Sequence, residues 1–336
     1  MSPNVSVVIP VFNRPAAVRR AIDSVLGQTY QDFEIIVVDD GSTDATPAAV
    51  EALADPRIRL IRHGRNRGGS AARNTGIRAS SAPYVAFLDS DDEWLPTKLA
   101  QQLEVFERSS DQVGLVYTGA ERVFPDGSVS RHIPRRRVDL SLALLTDNVV
   151  GETSLGMVRR SALEAVDGFD ESLPSCQDLD LWLRVCEQFS ADIVPAPLVR
   201  ISNGSDSGRI TTNVSGSIRG RELYCRKHRE KMIRHGVLHL FLRESGWRQH
   251  RACRNARLAR RYYLESLGAN PFAPVTYLLL LAAYLPISWF DQVARCKRLA
   301  ARSLGFGPEA WFAETPHRPT SPANLLPNTP KDSAAS

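Results

Sequence analysis

The strongest constraint in this chain is an alternation repeated through its first ninety residues. Short apolar runs rich in Val and Ile occupy residues 5–10, 33–38, 57–61 and 84–88. Between them lie stretches with apolar residues at helical spacing: Val18, Ile22, Val25 and Leu26, then Val50 and Leu53, then Ala71, Ala72, Ile77 and Ala79. Asn13-Arg14-Pro15 turns the chain into the first of these helices, and Thr43 or Asp44 is expected to cap the second. Strands alternating with helices make βαβ units, hence an α/β fold with a mostly parallel sheet and helices on both faces. Right-handed crossovers carry the C-terminal ends of such strands to one edge. Ligands of open sheets of this kind lie at that edge, near the switch in strand order.

Three chemical features sit at those ends: Pro10-Val11-Phe12, Asp39-Asp40-Gly41-Ser42 and Asp89-Ser90-Asp91-Asp92. Crowded carboxylates repel one another, and a cation between them relieves the repulsion. Acidic oxygen ligands suit a hard divalent ion, Mg²⁺ or Mn²⁺, held by one or two carboxylates plus substrate phosphates. The competing reading is that residues 89–93 cap a helix that follows, because Asp is common near helix starts.

Past residue 110 the pattern changes. Residues 113–117, 121–124 and 129–133 read as short strands, with Pro125-Asp126-Gly127-Ser128 as a hairpin turn. Residues 158–166 read as strand then helix, 179–189 as a helix and 193–201 as a last strand. Arg135-Arg136-Arg137 reads as a solvated turn rather than a phosphate-facing patch. Residues 202–216, rich in Ser, Gly, Asn and Thr, read as a mobile loop.

Net charge is +5 over 336 residues, and the excess is uneven. Residues 219–261 carry fourteen Lys and Arg against three Glu, and residues 266–290 carry no charge. Pro271, Pro274 and Pro286 cut the helical part of that apolar stretch to about a dozen residues, which favours a buried or interfacial helix over a span. The sequence past Phe312 has the composition of a disordered tail. Five scattered cysteines without a C-x-x-C indicate neither a zinc site nor a disulfide framework. No signal peptide is read at the N-terminus, so a cytoplasmic location is expected.

Taken together, the ordered motifs resemble a family-two glycosyltransferase with the GT-A fold over residues 4–205. They are Val8-Ile9-Pro10-Val11-Phe12-Asn13, Val38-Asp39-Asp40-Gly41-Ser42, Asn66-Arg67-Gly68-Gly69 with Ala72-Arg73-Asn74 and Gly76, Leu88-Asp89-Ser90-Asp91-Asp92, Gly168-Phe169-Asp170-Glu171, and Asp178-Leu179-Asp180-Leu181-Trp182. The resemblance implies a Rossmann-like GT-A domain over residues 1–215, with a nucleotide-binding half at 1–110 and an acceptor half at 111–215. An α-helical extension over 216–305 and a disordered tail over 306–336 follow. It also implies inverting sugar transfer from a nucleotide-sugar donor, commonly a UDP-sugar, to a glycan or lipid-linked acceptor with a divalent metal.

Roles then follow for individual residues. Pro10, Phe12, Asn13, Asp39, Asp40, Arg73, Asp89 and Ser90 are the expected donor-binding set. Phe12 would stack on the base, Asp40 would accept the base N3–H, and Asp39 would orient the loop or the ribose. Arg73 would reach phosphate or ribose, or form a structural ion pair. Asp91 is the expected metal ligand, with Asp89 on the ribose or a metal-bound water, and Asp92 is expected to cap the next helix. Asp178 occupies the position of the general base, which takes the proton of the acceptor hydroxyl. Gln177 stands where the family usually has Glu, which touches acceptor contacts more than catalysis. Trp182 would line the acceptor site or pack in the core. Asn203, Ser205 and Arg209 are candidates for a lid over the donor, without the His often found there.

Three further classes compete. One is a catalytically inactive nucleotide-sugar-binding assembly partner, against which the retained Asp40, Asp89, Asp91 and Asp178 argue. A nucleotidyltransferase or a dinucleotide oxidoreductase needs a glycine-rich loop after the first strand, and residues 10–15 contain no glycine. No nucleic-acid partner is expected. The basic segment beside an apolar helix fits docking on an anionic membrane surface, or a helical extension packed on the body of the protein.

Overall fold

The computed structural model describes residues 3–137, 139–202, 214–251 and 254–285. In chain order these form β1 (Val5–Val11), α1 (Pro15–Leu26), β2 (Phe33–Asp39), α2 (Thr46–Glu51), β3 (Ile58–Arg62), α3 (Gly69–Ala79) and β4 (Tyr84–Phe87). There follow β5 (Asp92–Trp94), α4 (Lys98–Arg108), β6 (Val113–Val123), β7 (Val129–His132), α5 (Leu140–Leu144), β8 (Gly156–Arg159) and α6 (Arg160–Ala165). The last elements are α7 (Gln177–Gln188), β9 (Ser190–Ser202), α8 (Val214–Arg234), α9 (Leu238–Arg251), α10 (Ala256–Ala269) and α11 (Pro274–Ala282).

The four expected strands lie side by side and parallel in the order β3-β2-β1-β4, with Val5 opposite both Phe33 and Tyr84. The sheet then becomes mixed: β8 is antiparallel to β4, β6 antiparallel to β8, β9 parallel to β6, and β5 antiparallel to β9. Every residue of β1 is buried. Val5, Val7, Ile9 and Val11 pack with α1 and α4, while Val8 belongs to the core on the opposite face. Burial on both faces is why this strand reads as an unbroken apolar run.

Three local expectations are corrected. The strands expected at 113–117 and 121–124 are one strand, β6. Its middle, Thr118-Gly119-Ala120, lacks the apolar pattern because β6 pairs irregularly with β9 there and a Cβ on Gly119 would collide with the His132 carbonyl. Asp92 does not cap a helix. It opens β5, accepts from Ser154 Oγ at 2.7 Å, and α4 begins only at Lys98. In α2 the N-cap residue is Ala45, and Asp44 serves instead from one residue earlier, accepting from Thr46 N at 2.9 Å.

The helices after residue 215 share the sheet's core. Tyr224 and Met232 of α8, Phe241 of α9 and Tyr262 of α10 pack in one cluster with Leu115, Val158 and Leu181. A charged knot beside it ties α8 to α7. Asp180, fully buried, accepts from Arg184 Nε at 2.7 Å on its own helix, and from His228 Nε2 at 2.8 Å and Lys227 Nζ at 2.9 Å on α8. Burial pushes its carboxyl up, but His228, Arg184 and Lys227 outweigh that and hold it down at about 2. No helix among the described residues is long and apolar enough to cross a membrane.

Asp180→Ala removes the buried carboxylate on which Arg184, Lys227 and His228 converge, and breaking a buried pair costs about 3–5 kcal/mol, less here because Lys227 and Arg184 keep access to water. Urea unfolding at neutral pH is expected to show that loss. Because the folded carboxyl is depressed, its stabilisation is present above the ordinary Asp value of 3.8 and disappears as pH falls towards about 2. The gap between the native chain and the variant should therefore close over that interval; a gap independent of pH removes Asp180 from the knot.

Candidate active site

The C-terminal ends of β1, β2 and β4 open onto a cleft of about 660 Å³. Its first wall follows β1. Phe12 is 41% exposed there, a large aromatic face left open beside Pro10 and Val11. Asn13 takes a left-handed conformation (φ 51°), which Asn tolerates, and its side-chain oxygen accepts from Thr43 N at 2.8 Å. In return Asn13 N donates to Ser42 Oγ and Arg14 N to Thr46 Oγ1, both at 2.8 Å, so the loops after β1 and β2 are stitched together.

Asp39 and Asp40 divide the labour at the end of β2. Asp39 is fully buried and lies off the cleft surface; it accepts from Ser42 N at 3.1 Å and faces Arg62 Nε at 3.4 Å, which shapes the turn. Asp40 reaches the cleft. Its carboxylate accepts from Arg67 N at 2.9 Å and Gly68 N at 2.7 Å and contacts His63 Nδ1 at 2.7 Å, gathering the loop that leads to α3. Gly41 makes this packing feasible: at φ 80° a Cβ would lie 2.6 Å from the Arg65 carbonyl carbon. The first turn of α3, which has no side-chain cap, lines the next wall with Gly69, Ser70 and Arg73. Helix N–H groups at such a turn favour an anion.

The floor is acidic, and each exposed acid has an arginine. Asp91 pairs with Arg14 Nη1 at 3.0 Å, and Asp89 pairs with Arg73. Thr153 Oγ1 donates to Asp89 at 2.9 Å. Ser154 Oγ donates to Asp92 and accepts from Asp89 N at 3.0 Å, so one hydroxyl fixes both ends of the acidic stretch. Burial, reinforced by the charges of Asp89 and Asp91, pushes the Asp92 carboxyl well up. Among the described residues no three His, Cys, Asp or Glu side chains converge as a closed metal cage. The donor set fits a divalent ion nonetheless, since Asp89 and Asp91 present hard oxygens in a cleft open enough for a diphosphate to complete the coordination.

The far wall comes from residues beyond 150. Glu152, Glu171 and Gln177 line it, Glu152 paired with Arg122 through one oxygen while its buried Oε2 has no hydrogen-bond partner. Cys176 adopts a left-handed conformation (φ 62°) immediately before α7, an unusual state for a non-glycine residue. Gln177 and Asp178 occupy the first turn of α7 after it. Asp178 is half-buried behind the lining residues; it accepts from Asn148 Nδ2 and Leu179 N, each at 2.8 Å. Burial pushes its carboxyl up to about 6; Glu152 and Asp89 add repulsion, against the Leu179 N–H and Arg73.

The structure thus brings Pro10, Phe12, Asn13, Asp40, Arg73, Asp89, Ser90, Asp91 and Gln177 to one cleft. Of the two places left open for Trp182, the structure gives the core and not the acceptor side of the cleft. Its ring is fully buried, a Cβ on Gly156 would lie 2.7 Å from it, and its Nε1 donates to Gly151 O at 3.1 Å, which supports the loop carrying Glu152. Asn203, Ser205 and Arg209 lie outside the described residues. The sequence reading passed over Arg14, Arg122, Asn148, Glu152, Thr153 and Ser154. Arg14 was visible only as part of the turn into α1, and residues 148–154 carry no recognisable spacing because the site uses them through tertiary contact. Two of the motifs also prove to be one device: Asn74 bonds Phe169 N and O at 2.8 and 2.9 Å and Glu171 at 2.9 Å.

Residues 6–167 match the description Glycosyl transferase family 2. The putative colanic acid biosynthesis glycosyl transferase WcaA of Escherichia coli K12 is 30% identical over 247 residues, covering 69% of this chain and 84% of that protein. The chain belongs to glycosyltransferase family 2. An uncharacterized glycosyltransferase of Rickettsia bellii is 35% identical over 190 residues, which is 54% of this chain but only 27% of that protein's length. A UDP-Glc:alpha-D-GlcNAc-diphosphoundecaprenol beta-1,3-glucosyltransferase, WfgD of Escherichia coli, is 32% identical over 134 residues, covering 40% of this chain and 52% of that protein. Among solved structures, S. aureus TarS 1-349 in complex with UDP-GlcNAc superposes with a TM-score of 0.60 at 17% identity, covering 78% of this chain and 81% of that one. The mannosyltransferase PcManGT of Pyrobaculum calidifontis, in complex with GDP-Man and Mn²⁺, gives 0.57 at 19% identity, covering 84% and 80%. These likenesses establish the GT-A type of fold.

The Asp178 carboxyl should titrate near pH 6 in a carbon-13 NMR titration. Glu152→Gln removes a neighbouring negative charge, so the midpoint should move down; an unmoved midpoint would mean that Glu152 does not act on Asp178.

Proposed function

We propose that this protein is an inverting glycosyltransferase that moves a sugar from a UDP-sugar to a hydroxyl of a glycan or lipid-linked acceptor in polysaccharide biosynthesis. The observation that carries the reading is the convergence, in one cleft, of an exposed aromatic face, an anion-favouring helix start and paired carboxylates, with the half-buried Asp178 and its raised pKa behind the far wall. The TarS complex with UDP-GlcNAc and the acceptor in the WfgD name support the donor and acceptor classes.

In this reading the base stacks on Phe12 and is bonded by Asp40, whose Oδ2 accepts from Gly68 N alone among the described contacts. The start of α3 and Arg73 face the diphosphate. Asp91 and Asp89 would hold Mn²⁺ or Mg²⁺, and the Mn²⁺ in the PcManGT complex supports that choice. Bound there, the ion supplies charge to offset the negative charge that develops on the departing diphosphate.

Asp178 takes the proton of the acceptor hydroxyl. The freed oxygen bonds to the anomeric carbon from the face opposite the diphosphate, and the nucleoside diphosphate leaves with the electron pair of the broken C–O bond. Asn148 and Leu179 N each hold one carboxylate oxygen of Asp178, which fixes its orientation before the acceptor arrives. A carboxyl near pH 6 is ionised at neutral pH yet a stronger base than an ordinary Asp, which suits the task.

Calorimetry with UDP and Mn²⁺ tests the donor side. Loss of an outer-shell partner already costs metal sites about 10–100-fold in affinity, so Asp91→Ala is expected to weaken metal-dependent UDP binding by at least that much in a folded protein. Unchanged affinity sinks the assignment.

Asp178→Asn tests the chemistry. It should bind UDP and Mn²⁺ normally and lose about two to four decades of transfer rate. In the native chain kcat/KM should fall as pH drops below about 6, where the base becomes protonated. A variant with near-native turnover, or a native profile flat through pH 6, removes Asp178 from the mechanism.

A further inference from the structure

We propose that the outward face of α11, with the arginine rim of α10, is a docking surface for an anionic lipid bilayer. The helix is two-sided in an unusual way. Thr276, Leu279 and Ala283 point inward, and Leu279 and Ala283 pack with Ala259 and Tyr263 of α10. The opposite side is equally apolar and faces solvent: Tyr277 is 47% exposed, Leu278 66%, Leu281 65% and Tyr284 66%.

These four residues recur at i, i+1, i+4 and i+7, so they form one continuous stripe. Leu285 extends it, and Phe272, 91% exposed in the turn before α11, stands at its other end. Single exposed leucines are ordinary, whereas a contiguous strip marks an interaction surface.

The charge pattern selects the occupant. Residues 266–290 contain no charged side chain. Of the arginines on α10, Arg260 borders the stripe, and Arg257 and Arg261 stand on the same helix. Arg257 and Arg261 are exposed, the latter paired with Glu265 at 2.9 Å. Arg260 lies 4.5 Å from the ring centroid of Tyr284, its guanidinium at the edge of the apolar strip. Leucines for the acyl boundary, tyrosines at headgroup depth and arginines for anionic headgroups form the pattern of a helix lying in a membrane interface.

Nine residues of helix span about 14 Å, roughly half of a hydrocarbon core, so the helix lies on the membrane and does not cross it. A two-fold contact with a second copy would cover the same apolar stripe, and the measurements below separate it from lipid docking. The inference rests on this surface and not on the sugar-transfer reading.

Flotation of the full chain with phosphatidylcholine vesicles, with and without phosphatidylglycerol, tests it. Binding is expected on the anionic vesicles at low salt, with about tenfold weakening at high salt and none on neutral vesicles. Leu278→Glu with Leu281→Glu should abolish binding. Arg257→Glu with Arg261→Glu should weaken it by about 25-fold or more, at about fivefold per arginine removed from the surface. Both pairs sit on exposed positions, and unchanged thermal unfolding and UDP–Mn²⁺ calorimetry verify that the fold and the cleft persist.

Absence of vesicle binding by the native chain overturns the proposal, as does a leucine variant that binds as well as the native chain. A dimer in sedimentation that the leucine variant dissolves, without vesicle binding, assigns the face to a second copy and overturns it equally. Flotation reads lipid binding and calorimetry reads the cleft, so failure of the docking surface and failure of the catalytic reading are distinguishable.

Discussion

Electrostatic repulsion at one edge of a sheet governs this molecule. Parallel strands deliver their C-terminal ends to a common edge, and here two of those ends, of β2 and β4, bring Asp39, Asp40, Asp89, Asp91 and Asp92 close together. The chain relieves the repulsion differently for each. Backbone N–H groups neutralise Asp40 and arginines neutralise Asp89 and Asp91, while Asp92 is driven towards its neutral form. In the proposed reading Asp89 and Asp91, each of which reaches the cleft with an arginine beside it, are the acids placed to exchange that contact for a cation and a diphosphate. Those enclosed by backbone and hydroxyl donors keep the loops in place around them.

The parallel half of the fold was legible because its strands are buried on both faces and its helices are amphipathic, two signals that need no long-range information. The mixed half was harder to read. Gly119 interrupts the pattern of β6 for a reason found only in its neighbour, the His132 carbonyl pressed against it. Asp92 resembles a helix cap in sequence, yet its partner Ser154 is sixty-two residues away. The site divides in the same way. Aspartates at strand ends announce themselves, whereas Asn148, Thr153 and Ser154 act on Asp178, Asp89 and Asp92 from a loop without a motif. Trp182 lies one turn after Asp178 on the same side of α7, but its ring is fully buried, and its Nε1 donates to Gly151 O beside Glu152.

The helices that follow residue 215 are part of this logic. Asp180 lies two residues after Asp178 on α7, and its ties to Lys227 and His228 fix that helix against α8. The orientation of the α7 first turn, and with it the position of the raised carboxyl, therefore depends on residues outside the span that the family description matches. Shared apolar packing from Leu181 to Tyr224 and Phe241 makes the same connection without charge.

The stitching of the first two strand-end loops has a consequence for anyone exchanging parts between relatives. Asn13 and Thr43, Asn13 and Ser42, and Arg14 and Thr46 bond across the gap. Neither loop is a module. A graft that imports the segment after β1 without an Asn at position 13 leaves Thr43 N without its acceptor, and one that imports residues 42–46 without Ser42 and Thr46 does the same to Asn13 N and Arg14 N. Recombination has to treat the two as one cassette, drawn from a single parent.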